Sequence, residues 1–166
     1  MLMKTRSAAT LYLFLAVVFC SASPNVFAQD YEALKGLKSA NAIVDFRMGK
    51  PDAVVPTMKL VHQTYKDLAA MQLNPDFVVV FIGPSVKLIT KNREGFQPED
   101  RKNLDELAKT ITAMSRDGIR FEICLAAAHA FKVDPAAVLP EIRRVGNGWI
   151  SEIGYQARGY SLVPVF

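Results

Sequence analysis

The chain reads as an α/β protein: a three-layer α/β/α sandwich around a mainly parallel five-strand sheet, with a flavodoxin- or Rossmann-like topology. Three observations predict it. Short β-branched and aromatic runs, "NAIVDF", "FVVVFIG" and "IRFEIC", alternate with longer segments whose apolar residues recur three and four apart. The run "FVVVF" is apolar at every position rather than every second one, as a central strand covered on both faces requires. No repeat, linker or low-complexity stretch interrupts the alternation, so one sheet with helices on both faces is expected.

Taken in order, "NAIVDF" is a short buried strand. "KPDAVVPTMKLVHQTYKDLAAM" then places Val54, Met58, Val61, Tyr65 and Leu68 on one helical face. Asp52 is the candidate cap, and Pro56 falls early enough to be tolerated or to delay the first regular turn. After the second strand, Gly83-Pro84 ends the run, and "GPSVKLITKNREGF" is longer than most such loops; it has room for a helical turn and for a lid. "PEDRKNLDELAKTITAMSRDG" is a second amphipathic helix, with Leu104, Leu107, Ala108, Ile111 and Met114 inward and Gly118 as its stop. The third strand "IRFEIC" leads into a short helix, "LAAAHAF", and "DPAAVLP" is a helical turn or a loop. A fourth strand is expected around Val145, a tight turn at "GNGW", a helix over "WISEIGYQAR" and a last strand at "YSLVPV".

The N-terminus carries Lys4 and Arg6, then the apolar core "AATLYLFLAVVF", then "SPNVFA" with Val26 and Ala28 in the small-residue pattern that a signal peptidase reads. Cleavage after Ala28 and a periplasmic or secreted location are therefore expected. The run is shorter than the ~20 apolar residues of a membrane span, so no stable membrane insertion is expected after cleavage. The alternative, lipidation at Cys20, meets Phe19 where a small side chain is wanted. Residues 29–166 then form a single domain. The leader takes two of the 20 basic side chains and none of the 16 acidic ones, and runs such as "KNRE" and "IRR" are short and mixed, so nucleic acid is not an expected partner.

Removing the leader also removes Cys20 and leaves Cys124 alone, which excludes an internal disulfide. Cys124 falls where the third strand ends and the next helix begins, the place where open parallel sheets gather ligands and reactive groups. Backbone N–H groups of the following turn favour a thiolate there. Arg120, Glu122 and Cys124 alternate onto one strand face, with opposing influences on that thiol. A free cysteine is also a common small core residue, so two readings stand: a reactive thiol or a packing side chain.

The segment "GIRFEICLAAAHAFKV" resembles the cysteine segment of the DsrE/DsrF-like family, in particular its TusD-type sulfur-relay subunits. "VVVFIGPSVKLI" resembles that family's second strand and Gly-Pro turn, and "ARGYSLVPV" its closing helix end and strand, so the likeness runs from about Ala42 to Pro164. The resemblance implies that Cys124 carries sulfur as a persulfide, that subunits assemble into trimers or hexamers, and that donor and acceptor are other, unidentified proteins. The helix ends in Phe131 and Lys132 where the family often has arginine and glycine. Export would also separate the protein from transfer-RNA thiolation and cytoplasmic sulfite reduction. The second reading is an oligomeric binding module with an inert cysteine, taking a ligand or protein at the strand ends through Gly83, Pro84, Ser85, Ala126, Asn147 and Gly148. In either case any enzymatic role is at most that of a sulfurtransferase.

The other candidates are weaker. His129 lies about 140° round a helix from Cys124 and is expected to be structural rather than its base. His62 is expected half-buried on the first helix. Two histidines and one cysteine show no ligand spacing, so no metal is expected, and no cofactor fingerprint occurs. "GNGW" is read as a plain tight turn that could present N–H groups to an anion. Trp149, the only tryptophan, is expected beneath that turn or at a subunit contact.

Overall fold

The computed structural model of the protein describes residues 31–166, so the proposed leader and its cleavage site lie outside the described residues. A short 3₁₀ turn, Glu32–Leu34, belongs to a separate unit, and Gly36–Phe166 form one compact body. That body contains β1 (Asn41–Phe46), α1 (Pro51–Ala70), β2 (Asp76–Phe81), α2 (Pro98–Arg116), β3 (Arg120–Cys124), α3 (Leu125–Ala130), β4 (Ile142–Val145), α4 (Gly148–Gln156) and β5 (Ser161–Val165).

The five strands form one sheet in the order β4-β3-β2-β1-β5, and every neighbouring pair is parallel. The chain steps in one direction from β1 to β4 and then returns past the whole sheet to place β5 beside β1. Right-handed crossovers send helices to opposite faces when that direction reverses. Side-chain alternation agrees. Ala42, Val44, Phe46, Phe77, Val79, Phe81, Phe121 and Ile123 pack with α1 and α2 in the main core, whereas Ile43, Val78, Val80, Ile82 and Cys124 form a smaller cluster beneath α4. β5, with Pro164 in its length, is an edge strand, the position in a sheet that tolerates a missing N–H.

α1 begins at Pro51 after Lys50, with no side-chain cap, so Asp52 lies in the first turn rather than at the cap. Pro56 is tolerated inside the helix and does not delay it. α2 buries Thr110 with Leu104, Leu107, Ile111 and Met114 and ends before Gly118, whose φ of +99° is the left-handed conformation glycine adopts without strain. The long loop after β2 is not a free lid over its first half. It opens with a 3₁₀ turn, Gly83–Lys87, and Val86, Leu88 and Ile89 are buried in the core. Thr90 bridges to Val138, and Leu139 N–H donates to the Ile89 carbonyl. "DPAAVLP" resolves into the 3₁₀ turn Pro135–Ala137, capped by Asp134.

Candidate functional site

Cys124 is both the last residue of β3 and the N-cap of α3. Its Sγ accepts the backbone N–H of Ala127 at 3.3 Å. The residue is only 4% exposed. Alternation along β3 puts Arg120, Glu122 and Cys124 on the face that α4 covers, as the spacing predicts. Gly148, the first residue of α4, packs against the Cβ of Cys124. A Cβ added there would lie 3.0 Å from the Cys124 Cβ and 2.7 Å from Cδ1 of Ile82, so only glycine allows this approach.

α4 sits on the sheet the wrong way round for an amphipathic helix. Gly148, Ser151, Glu152 and Tyr155, spaced three and four apart, face the sheet, whereas Trp149, Ile150 and Ile153 are 56%, 69% and 66% exposed. Beside the apolar cluster beneath it, two polar contacts seat the helix, one on each flank. On the β3 flank, buried Glu122 accepts from Ser151 Oγ and from the Tyr155 hydroxyl at 3.1 Å, with Arg143 of β4 at 3.9 Å. Glu122, which would oppose a thiolate at Cys124, is therefore paired. Burial, then the charge of Glu122, pushes the Tyr155 hydroxyl up, so it stays a donor.

On the β1 flank, Glu152 and Asp45 are both buried, and each carboxyl feels the other. Arg47 donates from Nε to both Asp45 oxygens at 2.8 Å and lies over the Trp149 ring. Glu152 Oε1 has no hydrogen-bond donor among the described residues. Burial first, then the charge and hydrogen bond of Asp45, push the Glu152 carboxyl up to about 7, against the opposing pull of Arg47.

Farther along the same face, Arg120 is held by Asp76 at 2.7 Å and by the Tyr160 hydroxyl at 2.9 Å. Burial pushes the Asp76 carboxyl up, but the hydrogen bonds from Tyr160 and Arg120 outweigh it and hold it below its ordinary value. A groove of about 380 Å³ opens there, lined by Arg120, Arg143 and Arg158 beside α4. Two of its three cations are already faced by Asp76 and Glu122. A second hollow, of about 440 Å³, lies between the loop after β2 and the end of α3. Cys124 lines neither.

The proposed binding residues separate into two groups. Gly148 touches Cys124, and Ala126 is tied to that contact by its N–H, which donates to the Gly146 carbonyl at 3.1 Å. Asn147 caps α4 by accepting the Trp149 N–H at 3.0 Å, so this backbone donor of "GNGW" is already occupied. Gly83, Pro84 and Ser85 lie at the end of β2. Pro84 packs on Gly49, and buried Ser85 Oγ donates to the carbonyls of Phe46 and Ile82. Ser85 thus ties β1 to β2. His129 is exposed in the last turn of α3 rather than built into the core. His62 is half-buried and bonds Asp117 at 2.6 Å. Trp149 lies outside the turn rather than beneath it.

Asp45, Glu152, Ser151 and Tyr155 were not singled out by sequence reasoning. The available signals were one acid inside each of the apolar runs "NAIVDF" and "IRFEIC", and a polar stripe at helical spacing in "GWISEIGYQ". Among the described residues no group of three or more His, Cys, Asp or Glu side chains is placed to hold a metal, and no helix is long and apolar enough to cross a membrane.

The fold has solved relatives. A protein of unknown function, MTH1491 from Methanobacterium thermoautotrophicum, superimposes with a TM-score of 0.59 at 15% identity, covering 76% of this chain and 99% of that one. BT1422 from Bacteroides thetaiotaomicron, also of unknown function, gives 0.53 at 17% identity over 75% and 94% of the two chains. The ychN protein from E. coli gives 0.52 at 12% identity over 77% and 99%. These likenesses establish the fold, and no curated protein matches the sequence. The profile of the DsrE/DsrF-like family matches residues 62–165, from the middle of α1 to the end of β5, with the Cys124 segment inside it. The chain belongs to the DsrE/DsrF-like family.

Proposed function

We propose that this DsrE/DsrF-like protein is an exported sulfur carrier that holds sulfane sulfur as a persulfide on Cys124. The observation that carries the reading is the position of the thiol at the carboxyl end of β3, with Sγ already accepting a backbone N–H of the next turn. A thiolate there attacks the outer sulfur of a donor persulfide. The donor's S–S bond breaks, its inner sulfur leaves as a thiolate, and Cys124 keeps the transferred atom. In delivery an acceptor thiolate attacks the outer sulfur of the Cys124 persulfide and keeps that atom, and Cys124 leaves as the thiolate. Donor and acceptor are proteins of the compartment to which residues 1–28 would direct the chain.

The burial of Cys124 favours a second reading, a binding module whose cysteine is inert packing. One experiment separates the two. The full chain is incubated with polysulfide without denaturant, and Cys124 and Cys20 are read on separate peptides by mass spectrometry. The carrier reading expects Cys124 to gain the mass of one sulfur atom and to lose it to dithiothreitol. Modification only after denaturant is added would leave the binding module.

Self-association as a trimer or hexamer is part of the same proposal. Its support is the outward apolar face of α4 and the exposed Leu162, Val163 and Phe166 at the β5 edge, contiguous in kind with surfaces that monomers seldom leave open.

A further inference from the structure

Among the described residues α4 is the one helix on its face of the sheet, and beside the apolar cluster beneath it each flank of its seat holds a buried carboxyl from the sheet, Glu122 or Asp45. On the β1 flank two buried carboxyls, Asp45 and Glu152, meet with a single cation, Arg47, already bonded to both oxygens of Asp45. Glu152 Oε1 has no donor among the described residues. The strands on either side add no charge there: Val80 and Pro164 are the register partners of Asp45 on β2 and β5. The charged groups that reach α4 from β3 and β4, namely Arg120, Glu122 and Arg143, engage its other flank, through Tyr155 and Ser151. One turn before Glu152, Gly148 closes over Cys124.

We propose that the Asp45–Glu152 pair is a proton-operated latch on α4, closed while one proton is shared between the two carboxyls and released when that proton leaves, so that Gly148 lifts from Cys124. The proton supplies the donor that the buried oxygen lacks and turns two facing acceptors into a hydrogen bond. Without it, two anions share one arginine in a buried seam, and the cheapest relief is admission of water under the helix. The rise of Glu152 to about 7 puts the release near neutral pH. The latch responds to one proton, that of the Glu152 carboxyl. The inference does not depend on whether Cys124 carries sulfur; the thiol serves only as a reporter of the seat.

The test measures alkylation of Cys124 by iodoacetamide in the full chain, read by peptide mass spectrometry apart from Cys20, in the natural protein and in Glu152→Gln. Glutamine keeps the shape and a donor but cannot ionise. The ratio of the two rates at each pH cancels the thiol's own ionisation. The expected ratio is near one at pH 5.5 and rises up to about tenfold per pH unit above the release point. Hydrogen exchange of the α4 amides in the natural protein gives a reading that needs no variant. After correction for intrinsic exchange, protection of α4 is expected to fall from pH 6 to pH 8 while that of α1 and α2 holds. A rate ratio independent of pH, or α4 protection that does not change, would overturn the proposal. Should Glu152→Gln fail to fold, the exchange measurement alone decides it.

Discussion

Gly148 of α4 and Cys124 of β3 are packed so closely that a single added methyl group cannot fit between them, the built Cβ falling 3.0 Å from the Cys124 Cβ and 2.8 Å from Cγ1 of Ile82. Cys124 is therefore packed against a helix from another part of the chain as well as held in its own strand. Replacing Gly148 by alanine leaves the backbone conformation allowed, since its φ is not in the left-handed region, and so acts only through this contact.

Gly148→Ala is expected to destabilise the protein by about 1–3 kcal/mol, the usual cost of overpacking. Ile82 can turn its side chain away, but the Cys124 Cβ is fixed to the backbone of β3 where it pairs with β4, and cannot. α4 must yield. Urea unfolding measures the first effect, and faster alkylation of Cys124 without denaturant measures the second. An unchanged alkylation rate would mean that α4 does not control access.

Glu122 is the seat of α4 on the other flank. Glu122→Ala leaves the Tyr155 hydroxyl and Ser151 Oγ without their acceptor and removes the carboxylate facing Arg143. The expected loss is about 2–4 kcal/mol, because two donors lose a charged partner in a partly buried place. Tyr155→Phe removes one of those bonds and is expected to cost about 1 kcal/mol. If the two substitutions cost the same, Glu122 acts through Tyr155 alone.

How much of this was legible in the sequence differs between strand and helix. A strand's period of two assigns its faces without knowledge of the fold, so Arg120, Glu122 and Cys124 could be put on one side of "RFEIC", and they are. A helix shows two faces but not which one meets the sheet. For α4 the ordinary rule would seat Trp149, Ile150 and Ile153, and the structure seats Ser151, Glu152 and Tyr155 instead, because Glu122 and Asp45 wait beneath them. That choice depends on strands roughly a hundred residues away in sequence for Asp45, and no local pattern contains it. The cap of α1 failed for a different reason: Asp52 is a good cap residue, but Pro51 fits the first helical position, so the cap is Lys50 and the boundary lies two residues earlier. The close packing of α4 on Cys124 likewise depends on Gly148, which as part of "GNGW" read as a turn.

The raised Glu152 carboxyl makes stability fall as pH rises. A carboxyl whose folded value lies above its free value of 4.5 costs nothing where it is protonated in both states. Its stabilisation is fully present below about 4.5 and is lost as pH climbs through about 7. The expected loss between pH 5 and pH 8 is about 1–3 kcal/mol, and Glu152→Gln should flatten the curve and leave the variant the more stable protein at pH 8. Urea midpoints across that range test it, and equal pH dependence in the two proteins would contradict it. Asp76 acts in the opposite sense. Held below 3.8, it contributes stability above that value which is lost as pH falls through its folded value. Its partner Arg120 is nearly half exposed, so Asp76→Asn is expected to change stability by less than about 1 kcal/mol.

The outward face of α4 supplies the last test. Trp149, Ile150 and Ile153 contribute little to the core of one chain, so charged substitutions there should leave the fold intact. If the face is buried between copies, Ile150→Glu with Ile153→Lys should reduce the mass measured by light scattering to that of one chain, with unchanged circular dichroism. Trp149 is the only tryptophan, so its emission reports the same surface directly. On dilution of the natural protein the emission should move to longer wavelength as the ring returns to water, and in the double variant it should start there. Arg47 stacks on that ring from the sheet side and would remain in place in either state, so the shift would register the loss of a neighbouring copy rather than the loosening of α4. A natural protein that scatters as a single chain at micromolar concentration would exclude self-association and leave the apolar face to a different partner.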